Sequence, residues 1–197
     1  MDKKVKAMSL ALACGVVFSM LLSFARFNFQ CGDIRNSVLR LHILANSDST
    51  ADQHQKLLVR DAIIIEAQKL FAHCKTKEDA LKVLDKNQDR LLLAARGALN
   101  KDEKIEMEIG KADFETRVYE NFTLPAGEYD ALKIKIGEAE GQNWWCIMFP
   151  ALCIGAADAQ EELLEPRQAE IIKGKEKYKI RFKAVEIFEE IRNILKF

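Results

Sequence analysis

Apolar and polar positions divide this chain into segments of distinct period. Residues 7–25 carry no charge, follow the cluster Lys3, Lys4 and Lys6, and are closed by Arg26. That run is long for a signal-peptide core and just long enough for one membrane crossing. Residues 37–45 are apolar almost without a break, which predicts a strand buried on both faces. The run stops at Asn46-Ser47-Asp48-Ser49, where Ser49 and Asp52 make a capping-box-like helix start. A helix to about Phe71 follows, with Leu57, Leu58, Ala62, Ile64, Ile65 and Phe71 as its expected apolar stripe. Thr76 and Asp79 repeat the cap signal ahead of a second helix carrying Ala80, Leu84, Leu91, Ala94 and Ala98.

The period then changes to two. Ile105, Met107 and Ile109 alternate with acids, and Leu132, Ile134 and Ile136 alternate with lysines, giving strands with one wet face. Further strands are expected at residues 117–119, 129–136 and 144–149, with a glycine-rich hairpin turn at 137–142. Pro125 and Gly127 mark another turn. A short helix near 158–164 and a terminal helix near 183–195 complete the pattern, with a strand start at 178–182. The expected class is α+β: a mostly antiparallel sheet with helices on one face, behind an N-terminal signal or anchor helix. The expected division is residues 1–26 as signal peptide or membrane anchor, 27–36 as linker and 37–197 as one domain.

Composition narrows the function classes. The 197 residues hold 30 basic and 30 acidic side chains and are 49% apolar. The charge balance offers no nucleic-acid footprint, and the apolar content suffices for a real core. No internal repeat or low-complexity segment is evident. The lysines before the apolar run place everything after Arg26 outside the cytosol. Ser23 and Ala25 fit a cleavage site after Ala25, so cleaved signal and retained anchor both stay open. Cys14 is not a lipid-attachment cysteine, because the apolar run continues well past it and Ala11 stands where leucine is preferred.

Export changes how Cys31, Cys74, Cys146 and Cys153 are read. Cys146 and Cys153 flank Pro150, which can turn the chain back, and a disulfide there would stabilise by about 2–3 kcal/mol. Cys31 with Cys74 is a weaker pairing. Buried thiols and metal ligands are the alternatives, although no C-x-x-C spacing supports zinc. No phosphate loop or paired-carboxylate pattern stands out, so no cofactor, metal or small-molecule substrate is expected.

His42, Asn46, Ser47, Asp48, Asp52 and Gln53 crowd the strand–helix junction. His42, Ser47 and Asp48 supply the residue types of a small hydrolase, but no G-x-S-x-G elbow or glycine-built oxyanion loop accompanies them. Local capping explains the same residues, and a rigid capped turn also serves as a contact surface. Asp52, Lys56, Arg60 and Asp61 are spaced for ion pairs on a solvated helix face. Trp144 and Trp145 point to opposite faces of a strand, and an exposed one would suit a binding hot spot.

HILANSDS, followed by DQ, KL and VRD to Asp61, closely resembles the hallmark of the stage II sporulation protein R family of endospore-forming bacteria. FTLPAGEYDALKIKIGEAEGQNWWC at 122–146, IMFPALC to Cys153 and KYKIRFKAVEIFEEI near the C-terminus resemble the same family. The resemblance implies an exported signal rather than an enzyme. It implies passage across the forespore membrane into the space facing the mother cell. The implied partner is a membrane-embedded aspartic-type protease there, the peptidase that processes the inactive precursor of sigma factor E. On that reading His42, Asn46, Ser47, Asp48, Asp52, Gln53, Arg60, Trp144 and Trp145 are candidate partner contacts. The hydrolase and a passive spore-envelope protein remain as alternatives.

Overall fold

The structure is a computed structural model that describes residues 3–99, 103–119, 122–150 and 163–195. In chain order it contains α1 (Lys3–Ser37), β1 (Leu39–Leu44), α2 (Thr50–Phe71), α3 (Lys77–Lys86), α4 (Gln88–Gly97), β2 (Ile105–Phe114), β3 (Arg117–Val118), β4 (Thr123–Leu124), β5 (Gly127–Ile136), β6 (Asn143–Phe149), α5 (Pro166–Lys173) and α6 (Lys175–Leu195). The main sheet has the order β2-β5-β1-β6, and β3 pairs with β4 in a small separate ladder. β5 is antiparallel to β2 and parallel to β1, and β6 is antiparallel to β1. The α+β class and the mostly antiparallel sheet match the sequence reading.

Helices cover both faces of that sheet rather than one, because Val38, Tyr129, Ala131 and Ile147 give the second face an apolar cluster of its own beside the buried Arg40 and His42 of β1. Leu39, Leu41 and Ile43 join Leu132, Ile134, Ile136 and Met148 beneath Val59, Ile63 and Ala67 of α2, Leu84 of α3 and Leu91 of α4. Val38 and Ile147 turn the other way with Tyr129 and Ala131. They meet Phe27, Cys31 and Ile34 of α1, Ile171 and Ile172 of α5, and Tyr178, Phe182 and Val185 of α6. Residues 27–36, expected as a linker, therefore continue α1 and form part of the second layer. Lys177 and Tyr178 of α6, with Arg167, reach the Glu170 carboxylate and hold its pKa down at about 2, tying α5 to α6.

Several local expectations change with the packing. The inward face of α2 is Asp52, Lys56, Val59, Ile63 and Ala67, with Ile64 and Phe71, while Leu57 and Leu58 are half-buried and Ile65 is exposed. Asp52 and Lys56 are drawn inward by polar partners described below, and they set the rotation of the helix. The expected second helix is two helices, broken at Asn87, whose φ of −122° and ψ of 22° leave the helical region. Residues 178–182 are helical, because Tyr178, Phe182 and Val185 line one face of α6 at helical spacing.

The expected hairpin at 137–142 is not one, since β1 lies between β5 and β6. The turn crosses the end of β1. Cys31 and Cys74 are free thiols buried in separate layers, so they do not pair. Cys153, the partner expected for Cys146, and most of the helix expected at 158–164 lie outside the described residues.

Candidate functional site

The polar junction after β1 is built to receive the chain that crosses it. Gly141 N donates to Ala45 O at 3.0 Å and Glu140 N donates to Asn46 O at 3.1 Å. Glu138 N donates to Asn46 Oδ1 at 3.0 Å and Gln142 N to Asp48 Oδ1 at 2.7 Å. Lys56 Nζ reaches over from α2 to Gln142 O at 2.8 Å and to Gln53 Oε1 at 2.6 Å. Gln53 Nε2 donates to Ser47 O at 2.9 Å, while Asn46 Nδ2 and Ser47 Oγ both donate to Asp52 Oδ2, at 2.9 and 2.6 Å. The motif thus satisfies the backbone of two loops at once, as buried polar groups require.

Glycine is needed twice here. Gly137 has φ +57°, and a Cβ on it would lie 2.1 Å from Asn46 Oδ1; a Cβ on Gly141 would lie 2.3 Å from Ser47 O. Burial is the main influence pushing the Lys56 amine below its ordinary range, with Asp48 opposing and Arg60 assisting. Ser49 caps α2, its hydroxyl accepting from Asp52 N at 3.1 Å. Ser49→Ala should cost about 1 kcal/mol in urea unfolding. A loss three times larger would mean that Ser49 does more than cap.

His42, Ser47 and Asp48 do not meet in one hydrogen-bonded chain. His42 Nε2 donates to Asn143 Oδ1 at 2.7 Å, Ser47 donates to Asp52, and Asp48 accepts from the Gln142 amide. The ring of His42 stacks on Trp145, centroids 3.7 Å apart. Burial pushes its pKa below the ordinary histidine range, the Asn143 contact opposes this, and Lys133 and Arg40 add to it. Asp52 accepts from Asn46 and Ser47, and Lys56 donates to Gln53 and Gln142 O, so both turn inward rather than onto a solvated face. Arg60 pairs with the adjacent Asp61 and lies over the Trp144 ring, 4.5 Å from its centroid.

The two tryptophans do point to opposite faces. Trp144 packs on the first layer, and Trp145 on the second. Cross-strand registers place Glu108, Lys133, His42 and Trp145 in one row across the second face, with Glu106, Lys135, Leu44 and Asn143 in the row beyond. Among the described residues no helix covers this end: Glu106, Glu108 and Asn143 are exposed, and Lys133, Lys135 and Trp145 are half-buried. An open hollow of about 360 Å³ sits over Glu106, Met107, Glu108, Lys133 and Lys135. Arg117 from β3 stands 5.5 Å from the Trp145 ring.

Beneath this surface lies Arg40, fully buried, which sequence reasoning missed. Its Nε donates to Cys146 O at 3.0 Å and its Nη2 to Tyr119 Oη at 2.9 Å. The guanidinium sits 4.2 Å from the Phe114 ring centroid and 5.1 Å from that of Tyr129. Cation–π contact partly replaces the water it lost. Arg117, Tyr119 and Phe114 were also missed as neighbours of Trp145. No local signal marks them, since the end of β2 and the segment of β3 that follows it bring them there from a distance.

The family model described as Stage II sporulation protein R matches residues 35–159. Stage II sporulation protein R of Bacillus subtilis (strain 168) is 37% identical over 123 residues, which cover 61% of this chain and 55% of that relative. The match thus spans about half of the relative's length. No solved structure matches the chain. The residues matched by the family model include the whole sheet, the polar junction and both tryptophans; they leave out the apolar part of α1, and α5 and α6.

Proposed function

Because this chain belongs to the stage II sporulation protein R family, we propose that it is an exported signal of endospore formation. It acts on a membrane-embedded aspartic-type protease of the mother cell, which then cuts the inactive precursor of sigma factor E. The N-terminal helix takes the domain across the forespore membrane into the intermembrane space. There the domain works by contact and not by catalysis. The family match over residues 35–159 carries this reading. α1 supports it, since this helix is long and apolar enough to cross a membrane and none of its most apolar stretch is covered by the domain.

The contact surface in this proposal is the uncovered end of the sheet: Trp145 and Asn143, with Arg117 and Lys133 beside them. A half-buried tryptophan between cationic side chains is the composition of a binding hot spot. Asn46, Ser47, Asp52 and Gln53 act one step back, by holding the loop that ends at Asn143. Co-expression of the protease and the precursor, with and without this chain, is the test. Cleavage should require the chain. Trp145→Ala and the more exposed Arg117→Ala should each lower it about tenfold or more while the protein stays folded by circular dichroism. Cleavage without the chain would sink the proposal. Loss of a turnover at Ser47→Ala and His42→Ala with normal partner binding would favour the hydrolase instead.

A further inference from the structure

α6 carries two apolar faces, and the domain uses one of them. Tyr178, Phe182 and Val185 turn inward. Ile180, Ile187, Ile191 and Ile194 are 85%, 47%, 51% and 65% exposed. Spacings of seven, four and three residues place these four on a single outward face. Phe188 borders that stripe and meets Phe24 of α1 edge-on, with ring centroids 5.7 Å apart. Phe24 belongs to the uncharged run of α1, so the stripe on α6 is continuous with the surface that α1 offers to lipid.

The two helices cross. Phe24 and Arg35, about three turns apart on α1, meet adjacent residues of α6, Phe188 and Glu189. Phe27 meanwhile meets Tyr178 and Phe182, at the other end of α6. α1 is unbroken from Lys3 to Ser37, so no flexible joint separates its apolar part from the part packed in the domain. A helix fixed across a membrane-spanning one runs along the bilayer surface.

We propose that α6 lies on the outer surface of the bilayer crossed by α1, with its isoleucine stripe seated at the headgroup–acyl boundary. This rests on reading α1 as a membrane span. A stripe of this kind, with cationic side chains on its borders, is the pattern of an interfacial helix. Lys179, Arg181, Lys183 and Arg192 supply them, and Glu186 and Glu190 share the border. A second copy of the chain is the competing occupant, but the Phe24–Phe188 contact brings lipid to the stripe first.

The full chain, reconstituted into phosphatidylcholine–phosphatidylglycerol vesicles, tests this. An environment-sensitive fluorescent amino acid is placed at residue 19 in α1, at 191 or 187 in α6, or at the exposed position 93 in α4. Brominated acyl chains should quench residue 19 strongly. They should quench 191 and 187 at least roughly threefold more than 93, with blue-shifted emission, as for a side chain at the lipid boundary. Quenching at 19 with 191 and 187 behaving like 93 would overturn the surface placement and leave the span reading standing. Absence of quenching at 19 would overturn the span itself, and the α6 assignment with it. A blue shift at 191 that grows with protein density and ignores brominated lipid would assign the stripe to a second copy, and the proposal would be wrong.

Discussion

Gly141→Ala is expected to open the junction between the β5–β6 loop and the end of β1, at a cost of about 3 kcal/mol. The new Cβ would stand 2.3 Å from Ser47 O and 2.6 Å from Ser47 C, both backbone atoms that no rotamer change can move. Relief requires the loop to lift. Lifting it breaks the bonds from Gly141 N to Ala45 O and from Gln142 N to Asp48 Oδ1, and it strands Lys56 away from Gln142 O. For a chain of this size the melting temperature should fall by about 10 °C. Gly110→Ala on β2 is the control, since nothing lies within 4 Å of its Cβ position; it should change stability by less than about 0.5 kcal/mol. Equal stability of the two variants would show that the loop is not held against Ser47 as described.

Val16→Asp should have the larger effect on function. Val16 lies within the uncharged run of α1, exposed and touching no part of the domain. A carboxylate near the centre of a spanning helix costs about 3 kcal/mol of insertion free energy, enough to leave most molecules on the cytosolic side. Fusing the chain to a C-terminal reporter that works only outside the cytosol should therefore give little activity for the variant and full activity for the parent. The purified variant should melt as the parent does, which separates failed export from failed folding. Undiminished reporter activity would mean that α1 is not the exporting element.

Whatever depends on neighbours in the chain was legible in the sequence. Ser49 and Thr76 cap α2 and α3 as read, because a cap is settled within three residues. The double burial of β1 was legible from its near-continuous apolar run, although Arg40 and His42 fill its second face, and the opposite facing of Trp144 and Trp145 was legible from strand geometry alone. The turn at 137–142 was misread because nothing within it reveals that β1 occupies the place between its flanking strands. The rotation of α2 was misread for a related reason. Leu57, Leu58 and Ile65 make a plausible stripe until Asp52 and Lys56 are known to face inward toward Asn46, Ser47 and Gln142. Arg40 was invisible, since its surroundings come from β2, β6 and Tyr119 just after β3. The polar residues of the junction stood out in the sequence as candidate contacts; in the structure many of their side chains bond the protein's own backbone.

Phe24 and Phe27 stand on either side of the Ala25–Arg26 bond, and both are packed on α6 within one continuous helix. A processing enzyme needs its target bond unwound and accessible. Cleavage after Ala25 and docking of the C-terminal helix therefore compete for the same few residues. If α1 is a cleavable signal in the proposed function, a molecule cut before α6 docks would leave as a free domain and diffuse. On the same reading, a molecule that folds first would shield the bond, keep its anchor and reach only what lies against its own membrane. On that reading the speed with which α6 folds would set how far the protein travels.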